Sequence, residues 1–167
     1  IDLMEKQNLG ISEQLSLAML ASDRLLSSAK FGLKPLMEAA FLDGAYRNHQ
    51  DDDGKAALHH ACEWGHVEAV KRLIRENADQ GVKDNQGWLP IHYACSSGDI
   101  EVLELCLAAK ADKNSMGYFQ ETCLHVACKS GYREIVEFLV KNGADIEQKD
   151  ASNRTALSIA AMSGWAD

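Results

Sequence analysis

The 167-residue chain is long enough for one ordinary domain, and its 46% hydrophobic and 25% charged content is that of a folded globular protein, which excludes wholesale disorder. A formal net charge of -8 argues against nucleic acid or an anionic membrane as the main partner, because phosphate attraction needs clustered Lys and Arg. Five cysteines, an odd count, do not read as a disulfide framework and point to an intracellular, reducing compartment such as cytoplasm or nucleus.

No apolar run reaches the roughly 18–20 residues that span a bilayer, so direct membrane insertion is not expected. The start, IDLMEKQNLG, lacks both an initiator Met and the basic-then-apolar order of a secretory signal, and the chain reads as part of something longer. From Ser12 to Lys30 apolar residues recur at helical spacing (Leu15, Ala18, Met19, Leu26 and Leu17, Leu20, Ala21, Leu25), which predicts a helix with Ser12 as N-cap and Glu13 in its first turn.

Four short phrases then repeat: Ala56-Ala-Leu-His59, Leu89-Pro-Ile-His92, Thr122-Cys-Leu-His125 and Thr155-Ala-Leu-Ser158, with a constant step of 33 residues between His59, His92, His125 and Ser158. A fixed period of this length is the mark of stacked supersecondary units. After each phrase a short helix is predicted to end at Gly65, Gly98 or Gly131. A second helix follows over Val67–Glu76, Ile100–Ala109 or Arg133–Asn142, and then a turn around Asp53-Gly54, Gln86-Gly87, Phe119-Gln120 or Ser152-Asn153, read as a hairpin tip. Lys34-Pro-Leu-Met37 looks like a worn copy of the phrase, with Pro35 standing where Pro90 stands; from Pro35 to Ala57 is 22 residues, so that copy reads as about a helix short.

The stretches GWLPIHYACSSGDIEVLELCLAAKAD and ETCLHVACKSGYREIVEFLVKNGAD resemble the ankyrin repeat, whose pattern runs T-P-L-H-x-A-A, then I-V-x-x-L-L, then G-A-D. The resemblance covers residues 51–167 with four units, the last incomplete, preceded over 1–50 by an N-terminal helix and a shortened capping repeat. It implies an all-α solenoid of stacked antiparallel helix pairs with short projecting β-hairpin loops, whose layers cannot stand alone. Asn77 and Lys110 replace the family Gly before Ala-Asp, and Lys110 is expected to be strained by roughly 1 kcal/mol.

His59-x-x-Cys62, His92-x-x-Cys95 and His125-x-x-Cys128 invite a zinc reading, but ligands at a solenoid period fall in separate layers on the order of 10 Å apart. The resemblance makes each His an intra-repeat hydrogen-bonding residue; each Cys, with Cys106 and Cys123, reads as core. No phosphate loop, GxSxG or HExxH occurs, and Asp51, Asp52 and Asp53 lack calcium-loop spacing, so no catalytic residue, metal or cofactor is expected.

What remains is surface, and the resemblance places it along one concave groove. Its residues are Asp52, Asp53, Lys55, Glu63, Trp64, Asn85, Gln86, Trp88, Ser96, Ser97, Tyr118, Phe119, Glu121, Lys129, Ser130, Ser152, Arg154 and Met162. Trp64, Trp88, Tyr118 and Phe119 are either binding anchors or packing over the neighbouring hairpin. Trp165 reads as core. The expected function is non-catalytic protein binding, with Asp51–Asp53 favouring a basic partner segment; the alternative is a scaffold docked within a larger protein or complex through the C-terminal end.

Overall fold

The computed structural model describes residues 10–165, and among them the regular structure is entirely helical. The helices are α1 (Ile11–Phe31), α2 (Lys34–Leu42), α3 (Ala57–Glu63), α4 (Val67–Arg75), α5 (Pro90–Ser97), α6 (Ile100–Ala108), α7 (Cys123–Ser130), α8 (Arg133–Lys141) and α9 (Ala156–Met162). Each odd-numbered helix packs on the next odd one, α1 on α3, α3 on α5, α5 on α7 and α7 on α9, forming one row; α2, α4 and α6 pack in a second row behind. The expected stack of helix pairs is therefore present.

The tips are less sheet-like than expected. Each closes by two backbone bonds: the N–H of Asp51, Asp84, Gly117 or Asp150 donates to the carbonyl four residues on at 2.9–3.0 Å, and the carbonyl of the same residue accepts the N–H three residues on at 2.9–3.1 Å. Isolated antiparallel bridges form at Gln50–Ala56 and Lys149–Thr155. These are tight turns, too short to build paired strands.

The N-terminal region differs from its sequence reading. Helix α1 starts at Ile11, so Ser12 lies inside it, while Glu13 accepts a 3.0 Å bond from the N–H of Gly10. The Lys34–Leu42 segment is not a worn copy of the core phrase with a helix missing. Subtracting 33 from α4 (67–75) gives 34–42, so α2 is the second helix of a full-length unit. The first helix of that unit is the C-terminal part of α1.

The phase is carried by Gly32, Gly65, Gly98, Gly131 and Gly164, all at positive φ (65–82°) in the break after the first helix. There a side chain from the following unit lies against each of the first four: His66, Asp99, Tyr132 and Trp165 respectively. A β-carbon on Gly98 would come within 2.6 Å of Tyr132 Cε1, and one on Gly131 within 2.5 Å of Trp165 Cε2. Glycine therefore serves twice here, for the backbone turn and for the approach of the next layer. Trp165 was expected in the core; it lies across Gly131 but keeps about half its surface in water.

The core runs the length of the stack, with Leu25, Leu58, Ile91 and Leu124 buried at equivalent positions. Leu157, the next in register, is 78% exposed, with no further layer over it among the described residues. Burying one leucine contributes on the order of 1.5–3 kcal/mol, so each layer gains much of its stability from the neighbour that covers it. Charge pairs lace the second row: Arg72 grips Glu38 with two 2.9 Å bonds, and Lys71 reaches Glu101 at 2.8 Å.

Candidate partner-binding surface

The tips are held by two buried devices. The first is the histidine of the repeated phrase. Nδ1 of His59, His92 and His125 accepts the N–H of Ala56, Leu89 and Thr122 at 3.0–3.2 Å. That leaves the proton on Nε2, which donates forward to the carbonyls of Trp88, Ser115 and Arg154 at 3.0–3.2 Å. Each ring thus ties the start of its own helix to the following unit, at the tip itself for His59 and His125 and at Ser115, two residues before the tip, for His92. Burial pushes the His59 and His92 imidazoles below their ordinary pKa, in keeping with a neutral bridging ring.

The second device is an aspartate that opens the tip. Oδ1 of Asp51 accepts the N–H of Asp53 and Lys55, that of Asp84 the N–H of Gln86 and Trp88, and that of Asp150 the N–H of Ser152 and Arg154, all at 2.8–3.1 Å. Oδ2 of each then takes a side chain: His60 at 2.7 Å, the Tyr93 hydroxyl at 2.6 Å, and Arg154 at 2.7 Å. Burial opposes ionisation of Asp51 and Asp150, but these hydrogen bonds outweigh it and hold both carboxyls below the usual range. Asp51 is therefore a structural group of its turn, set apart from the exposed pair Asp52 and Asp53 beside it.

At the third tip the aspartate is missing. Gly117 stands at its position, and the turn is rebuilt as a single 3-10 turn over Tyr118–Gln120. Phe119 (φ 52°) and Gln120 (φ 59°) are both in the left-handed region, where the first two tips use one glycine each, Gly54 and Gly87. Two non-glycine residues there cost roughly 1–2 kcal/mol each. The result is an exposed aromatic pair, Tyr118 and Phe119, with ring centroids 4.0 Å apart and Phe119 59% exposed.

The structure sorts the expected surface residues. Asp52, Asp53, Asn85, Gln86, Tyr118, Phe119 and Ser152 lie exposed on the row of tips, with Arg154 half-buried against Asp150. The tips are joined in pairs: the Asn85 amide and N–H bond the Asp52 and Asp53 carbonyls at 2.8 and 3.0 Å, and the Ala151 N–H bonds the Phe119 carbonyl at 2.8 Å. Lys55 and Glu63 neutralise each other at 2.9 Å, whereas among the described residues the carboxylates of Asp52 and Asp53 make no ion pair.

Two expectations need correction. Glu121 is 2% exposed, held beneath the rebuilt tip with one oxygen 3.1 Å from Lys129 Nζ, and so is withdrawn from the surface. Trp88 is half-buried, its ring 5.1 Å from that of Tyr93 and 5.9 Å from that of His92. Its indole packs the tip onto the stack.

Trp64 is exposed (57%) but away from the tips, at the far end of α3, about 10 Å along a seven-residue helix. The residue 33 positions earlier, Phe31, occupies the same place in the preceding unit and is 64% exposed. The sequence reading missed Phe31; the spacing Gly32–Gly65, with an aromatic before each glycine, was the signal that could have found it.

Among the described residues no three His, Cys, Asp or Glu side chains converge on a metal position, and each repeat histidine keeps to its own layer. The five cysteines are free and buried; the sulfurs of Cys62 and Cys106 lie 3.7 Å apart. That contact, together with burial, pushes the Cys62 thiol well up, which makes it an inert core group.

A family model described as ankyrin repeats (3 copies) matches residues 18–117 and 106–167. No curated protein matches the chain. The match begins inside α1, in agreement with a first unit that starts there.

Proposed function

This chain belongs to the ankyrin repeat family, whose members generally serve as protein–protein interaction modules, and from that premise we propose that it is a non-catalytic module that binds a basic segment of a partner protein along its row of tips. The observation that carries this reading is the pair of exposed carboxylates, Asp52 and Asp53, with no ion pair among the described residues on a chain of net charge -8, in line with exposed aromatic rings on the same row. The five cysteines free of disulfides support a reducing, intracellular setting. The test is fluorescence anisotropy with lysine- and arginine-rich peptides against glutamate-rich controls. Basic peptides should bind, more weakly as salt rises and more weakly still to D52N/D53N; equal binding of acidic and basic peptides removes the reading.

A second reading has its own support. Leu157 and Met162 are exposed on α9, and beside Trp165 a cleft of about 280 Å³ is lined by Ala127, Cys128, Val136 and Ala160. That apolar end suits permanent docking within a larger protein or assembly. Concentration-dependent self-association in sedimentation velocity, abolished by Leu157→Glu, would favour it over the groove.

A further inference from the structure

The row of tips carries its two exposed chemistries at a fixed separation. Asp52 and Asp53 present exposed negative charge at one tip, without an ion pair among the described residues, and Tyr118 and Phe119 present paired rings two layers further on. The intervening tip is fastened to the acidic one by the Asn85 bonds, and the aromatic tip is fastened to its other neighbour through the Phe119 carbonyl. The acidic and aromatic tips are linked through the histidine bonds of successive units, His59 to the Trp88 carbonyl and His92 to the Ser115 carbonyl, which hold the spacing before any ligand arrives. The aromatic tip also holds two residues in a strained conformation with the Phe119 side chain turned to solvent, although an aspartate and a glycine would have given the relaxed turn seen at Asp84–Gly87.

From this geometry we infer that the surface is a ruler: it selects an extended protein segment bearing a basic pair and, about six residues away, a large apolar or aromatic side chain. The deduction rests on the basic-segment reading above and adds a register to it. Packed layers repeat at on the order of 10 Å, so the two tips stand roughly 20 Å apart. An extended chain advances about 3.3 Å per residue, and roughly six residues cover that distance. The basic pair seats on Asp52 and Asp53 by charge complementarity, and the apolar side chain lies against the Tyr118–Phe119 pair, where rings offer contact area at small entropic cost. With both ends engaged, the second contact forms within one complex and raises affinity without requiring any new pocket.

The test uses the whole chain and synthetic peptides containing Lys-Arg and one Trp separated by two, six or ten Gly/Ser residues, measured by anisotropy. The six-residue spacing should bind at least tenfold more tightly than the other two. Phe119→Gly accepts the positive φ without strain, so it should keep the helical circular dichroism unchanged while lowering the six-residue peptide to the affinity of the others. Equal affinity for the three spacings, or no effect of Phe119→Gly, overturns the ruler and leaves the basic-groove reading standing. Failure of every basic peptide to bind overturns both.

Discussion

His59 and Trp88 meet across the boundary between two units, the imidazole Nε2 donating to the tryptophan carbonyl at 3.2 Å while Nδ1 accepts the Ala56 N–H at 3.0 Å. One neutral ring therefore joins two layers, and the same arrangement recurs at His92. Burial lowers the pKa of both rings in the folded chain, so the unfolded chain takes up protons at a higher pH than the folded one. Stability is full above the ordinary histidine range and falls as pH drops through about 6.5. Asp51 and Asp150, with lowered pKa, add their loss only below about pH 4, so the two effects separate. Urea melts at pH 7.5 and 5.0 should show this decline, and His59→Gln should flatten it; a midpoint that does not move with pH would mean the rings are not held neutral.

The contact of Tyr132 with Gly98 makes a second expectation. Gly98→Ala adds a β-carbon 2.6 Å from Cε1 of the ring at a residue with φ of 78°. A loss of about 2–3 kcal/mol is expected, combining left-handed strain with overpacking. Tyr132→Ala in the same background should return the overpacking part, and a double-mutant cycle measures that coupling.

Lys110 occupies the position held by Gly44 and Gly143 in other units, with φ of 69°. Lys110→Gly should stabilise the chain by about 1 kcal/mol in denaturant melts, since the strain removed exceeds the entropy that glycine adds to the unfolded state. Gly143→Lys should do the reverse.

Trp88 was a candidate anchor and now has a different expected phenotype. Because its ring is half-buried against Tyr93 and His92, Trp88→Ala should lower stability by about 2 kcal/mol. Affinity for a basic peptide, measured well below the melting point, should change little.

The solenoid was legible because its period is written in invariant spacings: the core phrase, the glycine after each first helix and the Ala-Asp pairs. The first unit was not, because it lacks a tip. In the next three units the phrase follows a turn, and a histidine satisfies the N–H where the helix begins. In the first, α1 runs straight through that place, no helix start exists, and Leu26 stands where His59, His92 and His125 stand. Pro35 then offered a false match to Pro90, though it is suited simply to the first turn of α2. At the surface, exposure failed at Glu121 and Trp88 for a common reason. Tip positions are defined by sequence, but whether a side chain points out or folds back depends on partners such as Lys129 and Tyr93 in other elements.

The dependence of each layer on its neighbours is tested most directly by amide hydrogen exchange on Leu124→Ala. Leu124 is buried in α7, and its truncation should cost about 2–5 kcal/mol. Stacked units share their stability with adjacent units, so protection should fall together in α5, α7 and α9. Faster exchange confined to α7, with α5 and α9 as protected as in the parent chain, would contradict the account.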